Sequence, residues 1–147
     1  MTTAANVRAV GVCAAAAVAA STAWYTAFGR QLARYDETYA QGSPQPAWIM
    51  PVELARSTAV VTAVAVLADR TRARGPIDAA RLGLGLWGAF PVVLLTGSVV
   101  HEKVPWQQAT IHAGDWLVKL LLISALVGRR RASKPAGPAA ASTGRRQ

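Results

Sequence analysis

Residues 7–28 read VRAVGVCAAAAVAASTAWYTAF, and beyond Arg8 only small or weakly polar residues such as Ser21 and Thr22 interrupt the run. As a helix, these 22 residues cover about 33 Å, enough to cross a hydrocarbon core about 30 Å thick. The stretch therefore predicts a transmembrane helix. A cleaved signal peptide is the rival reading, because Arg8 precedes an alanine-rich stretch with small residues near Ala20. Against it, the apolar run continues past any cleavage point into Trp24, Tyr25 and Phe28, and three more spans follow. Nor does Val10-Gly11-Val12-Cys13 form a lipoprotein site, which needs a small residue directly before the cysteine.

Outward from this helix, Arg30 to Ala47 is polar and ends in Gly42, Ser43, Pro44 and Pro46, a loop. The next clean apolar run, Ser57 to Ala68, has 12 residues and covers only about 18 Å. To cross, its helix must start near Pro51, where proline suits a first turn, and so must carry Glu53 and Arg56 inward. A charged turn from Asp69 to Pro76 leads to a third span over Leu82 to Val100, with a kink expected at Pro91. The fourth apolar run, Leu117 to Val127, is again too short unless the helix begins near Ala109, which draws in His112, Asp115 and Lys119. Residues 129–147 hold Arg, Lys, Pro, Ala, Gly and Ser without apolar periodicity and read as a disordered basic tail. The expectation is an all-α membrane protein. Residues 1–128 form one domain, an up-down bundle with spans at about 7–28, 51–68, 82–100 and 109–127.

Composition agrees. The chain of 147 residues is 52% hydrophobic and carries a net charge of +9, with 16 Lys and Arg against 7 acidic residues. Those charges sit in loops and at the C-terminus, which is a membrane pattern and not the basic groove of a nucleic-acid binder. Cys13 is the only cysteine, which rules out an intrachain disulfide and any zinc site built on paired cysteines. The abundance of Ala, Arg, Gly and Val fits GC-rich codons and a bacterial source. Cytoplasmic segments carry the Lys and Arg excess. The side with both termini and the second loop holds eleven of these residues and the other side three, Arg30, Arg34 and Lys103. Both termini are thus expected in the cytoplasm, with the basic tail near anionic lipids. Trp24, Tyr25, Phe28, Tyr35, Tyr39, Trp48, Trp106 and Trp116 fall in the outer half and read as an interfacial belt.

Two motifs dissolve on inspection. Gly83-Leu84-Gly85-Leu86-Trp87-Gly88 has the spacing of a dinucleotide-binding fingerprint but no preceding strand and no acidic residue about twenty positions on. Its glycines are expected to serve helix packing, with Gly85 and Ala89 as a small-xxx-small step. His101-Glu102 resembles the start of a zinc-protease helix, but Lys103, Val104 and Pro105 follow and the second histidine is missing. His101, Glu102 and His112 remain a candidate metal or proton-relay set, although no metal and no cofactor is expected.

The informative residues are Glu53, Arg56, His112, Asp115 and Lys119. An ion placed at mid-membrane costs about 2.5–3.5 kcal/mol, so each needs a partner or water. Glu53 and Arg56 are i,i+3 and Asp115 and Lys119 are i,i+4, so each pair shares a helix face. Depth suggests a further pairing: Arg56 lies about 8 Å below Pro51 and Asp115 about 9 Å below Ala109, so a salt bridge between the two helices is expected.

At Trp24-Tyr25 with Phe28-Gly29, and again at Glu102, Pro105-Trp106, Gly114 and the apolar run into Gly128, the chain resembles a bacterial membrane family catalogued as domain of unknown function 1761. The resemblance covers Val7 to Gly128 and implies four spans and a membrane location, but no reaction. Three readings of function stand. The leading one is a non-enzymatic accessory, a scaffold or an oligomer subunit, with the bilayer and possible further copies of the chain as partners and no nucleic acid. The second is a small transporter or channel component that binds an ion or polar solute at the outer polar cluster. The third is a membrane metal or redox enzyme using His101 and His112.

Overall fold

The computed structural model describes residues 3–39, 46–73 and 75–132. Helix α1 covers Thr3–Leu32 and is followed by a 3-10 turn, Glu37–Tyr39. Helix α2 covers Ile49–Arg70. Helix α3, Pro76–Trp87, runs through a π segment, Gly88–Val92, into α4, Val93–His101, and α5 covers Trp106–Ala132. Four stretches are long and apolar enough to cross a membrane: Val7–Leu32, Ile49–Arg70, Pro76–His101 and Trp106–Arg129. The protein is a multi-pass, all-α membrane protein, and no strand occurs among the described residues.

Local chemistry explains where the helices turn. Helix α2 ends in a Schellman motif. Arg72 takes a left-handed φ of 53°, its N–H reaches Asp69 O at 3.2 Å, and the N–H of Ala73 reaches Ala68 O at 3.1 Å. Gly75, with φ of 102°, then hands the chain to Pro76 at the first position of α3, where a missing N–H costs nothing. At Pro91, where a kink is expected, the helix changes type: proline has no N–H to keep the α-helical ladder, and the backbone accommodates it as a π segment, Gly88–Val92.

Lipid is as apolar as leucine, so these helices are held by close packing and polar contacts. Helix α5 is the centre and touches α1, α2, α3 and α4. On its α3 side the spacers are small. A Cβ added at Gly83 would lie 3.1 Å from Leu120 O and from Ser124 Oγ, and one at Gly128 would lie 2.9 Å from Ala79 Cβ. On the other side, Cys13, Ala14 and Ala17 of α1 are buried against the core of Val61, Val64 and Ile123. Among the described residues, α1 does not meet α3 or α4, and α2 does not meet α4, so the bundle is open along one side of α5.

Two expectations need correcting. Gly85 and Ala89 are exposed, and a Cβ at Gly85 would meet nothing within 4 Å, so the close approach belongs to Gly83, two residues earlier on a different helix face. Residues 129–132, expected to open a disordered tail, belong to α5, which continues to Ala132. The rest of it, 133–147, lies outside the described residues.

Candidate functional site

The polar residues of α1 and α5 meet because small residues let the two helices close together. Ala14, Ala17 and Ser21 follow one another at helical spacing on the buried face of α1, and Tyr25 continues that face one turn on. Opposite them α5 presents His112, Asp115 and Lys119, again at i, i+3 and i+7. Trp24 fixes the register. Its indole lies across Gly114 where a Cβ would overlap the ring, and its Nε1 donates to Ile111 O at 3.0 Å. Trp87 does the same from α3, donating to Ala113 O at 2.8 Å.

Asp115 is the hub. It is 2% exposed and Lys119 is 7% exposed. Lys119 Nζ lies 2.9 Å from Asp115 Oδ2, and Ser21 Oγ donates to Asp115 Oδ1. The Tyr25 hydroxyl lies 3.5 Å from Asp115 Oδ2 and 2.9 Å from His112 Nδ1. A hydroxyl has one proton, so while Tyr25 donates to Asp115 it accepts from a His112 protonated at Nδ1. Tyr39 closes the end nearer the loop between α1 and α2, with its ring centroid 5.9 Å from those of Tyr25 and His112. At the opposite end the Lys119 ammonium sits 5.3 Å from the centroid of the Trp116 ring, within cation–π range.

Outside the spans, burial first and then the carboxylates of Asp36, Asp115 and Glu53 push the Tyr39 phenol above its ordinary pKa. The Thr38 hydroxyl, followed by the Thr38 backbone N–H, holds the Asp36 carboxyl below the usual carboxylate range.

Arg56 and Asp115 do not form the expected bridge. Arg56 pairs with Glu53, three residues away on its own helix. Its guanidinium lies 5.9 Å from the Trp116 ring centroid, and its side chain is 53% exposed. Asp115 is already taken by Lys119 from its own helix and by Ser21 and Tyr25 from α1. Between the two pairs, Ala17, Ser57, Val60 and Ile123 help enclose a cavity of about 10 Å³, room for one water at most. Of the residues singled out in the sequence, His112, Asp115 and Lys119 come together, and Glu53 and Arg56 stand apart across that cavity.

His101 and Glu102 are exposed at the end of α4. Among the described residues no three His, Cys, Asp or Glu side chains gather as a metal site would require. In the sequence Ser21 reads as a weakly polar interruption and Tyr25 as a belt residue. Their i,i+4 spacing on a face of small residues was the available signal.

The model of a family described as "Protein of unknown function (DUF1761)" matches residues 8–128. No curated protein and no solved structure matches the chain.

Proposed function

The chain belongs to the DUF1761 family, whose function is unknown, and on that premise we propose that it is a non-enzymatic membrane subunit or scaffold in which the Asp115 cluster fastens α1 to α5. One observation carries this reading. Both oxygens of the Asp115 carboxylate are engaged by donors of the chain itself, and the adjoining space is about 10 Å³. Three of the about four acceptor sites of the carboxylate are taken by Ser21, Tyr25 and Lys119, and with room for one water at most the site has no volume to offer a polar solute.

A second reading is favoured by the run of contacts from Tyr39 through His112 and Tyr25 to Asp115 and Lys119. Chains of this kind carry protons in membrane proteins. One experiment separates the two. With the full chain reconstituted in liposomes around a proton-sensitive dye and a potassium diffusion potential imposed, the first reading expects the proton leak of protein-free liposomes. A leak that rises with protein and vanishes in Asp115→Asn would replace it with the second.

The location follows from charge. We infer a bacterial cytoplasmic membrane with both termini in the cytoplasm, supported by the eleven Lys and Arg on the termini side against three on the other. The basic tail then faces the anionic inner leaflet, where each Lys or Arg adds about 1 kcal/mol of attraction.

A further inference from the structure

The side on which the bundle is open has a definite shape. Between α2 and α4, floored by α5, runs a cavity of about 530 Å³ whose lining is aliphatic and aromatic apart from Arg56 at one end. Its α2 wall is Arg56, Val60, Ala63, Val64 and Leu67. From the first of these to the last the helix rises about 17 Å. The facing wall includes Pro91 of the π segment, and Trp116 and Leu120 form the floor. The cavity is thus a slot parallel to the helices.

Its dimensions select the occupant. Spread over about 17 Å, the volume gives a slot well under 10 Å wide, whereas a helix with its side chains measures about 10–12 Å. The slot is open along its length; an extended hydrocarbon chain fills it, whereas a helix of a second copy would lie only across its mouth. One end is polar. Helix α2 begins at Ile49, so Arg56 lies about 10 Å below that end, and its long stem carries the guanidinium back toward Glu53. A guanidinium has five N–H donors, and Glu53 engages Nη1. A cation at the head of an apolar slot fits an anionic amphiphile.

We propose that the slot between α2 and α4 holds one acyl chain of an anionic phospholipid whose headgroup meets Arg56. The test is native mass spectrometry of the full-length protein, released from nanodiscs of phosphatidylglycerol and phosphatidylcholine in equal parts with identical acyl chains. Phosphatidylglycerol should be retained over phosphatidylcholine by about fivefold, the worth of one basic group at the headgroup level. Ala63→Phe, which fills the slot, should lose most of the retained lipid, and Ala63→Leu an intermediate share. Ala59→Phe, exposed on the same helix but outside the slot, should keep it. Arg56→Gln should bring the ratio of the two lipids toward one while the amount retained persists. Retention equal in Ala63→Phe, Ala63→Leu and the parent chain would overturn the proposal, as would dimers that disperse in Ala63→Phe with lipid unchanged. A lipid ratio unaltered in Arg56→Gln would remove Arg56 from the site.

Discussion

The Trp24 indole occupies the space that a side chain at Gly114 would fill, and its Nε1 donates to Ile111 O, 3.0 Å away on the same helix as that glycine. Helices α1 and α5 are therefore keyed to one register, and that register places Ser21 and Tyr25 against Asp115.

Gly114→Ala tests the key. The added methyl meets a rigid ring, so overpacking should cost about 1–3 kcal/mol in a reversible unfolding measurement in micelles. Gly85→Ala is the contrast, since its methyl would meet nothing within 4 Å and alanine is the better helix former. It should be neutral or slightly stabilising. Equal changes in both variants would mean that the Trp24 contact does not govern the response.

Topology is checked with reporter fusions. Alkaline phosphatase placed in the loop between α1 and α2 should be active, and the same enzyme fused after Gly128 should be silent. The opposite pattern would invert the protein in the membrane and remove the charge argument.

Alkaline titration reports on Tyr39. A phenol whose folded-state pKa lies above its unfolded value of 10.0 contributes stability that is present below that pH and is lost as pH rises through the folded value. Melting temperature should therefore fall above about pH 10. Tyr39→Phe should show a shallower fall, and an identical pH profile in the two proteins would show that Tyr39 is not held neutral by the fold.

The four spans were legible because a bilayer demands a fixed length of apolar helix, and the forced inclusion of Asp115 and Lys119 followed from that length alone. Their pairing is local, one turn apart, and i,i+4 spacing was enough to suggest it. The error over Arg56 has a geometric cause. Depth advances about 1.5 Å per residue and can be counted from the sequence, but the direction a side chain takes around the helix turns by about 100° at each step. How that direction faces another helix is set by packing. Arg56 lies near the expected depth and points to Glu53. For the same reason Ser21 and Tyr25 went unassigned, because their partner is 94 and 90 residues away in sequence.

The loss of Arg56 should therefore be mild. Its side chain is half-exposed near the start of α2, where water can solvate the Glu53 that it leaves, so Arg56→Ala should cost clearly less in unfolding free energy than the loss of Asp115 or Lys119.

The central claim is that Asp115 and Lys119 are a structural pair buried between α1 and α5, and a double-mutant cycle on those two residues tests it most directly. Asp115→Asn and Lys119→Met should each destabilise by about 3–5 kcal/mol, because each leaves a buried charge without its partner. The double variant should recover part of that loss, with a coupling of about 1 kcal/mol or more. Strictly additive effects, or an Asp115→Asn variant as stable as the parent protein, would contradict the account.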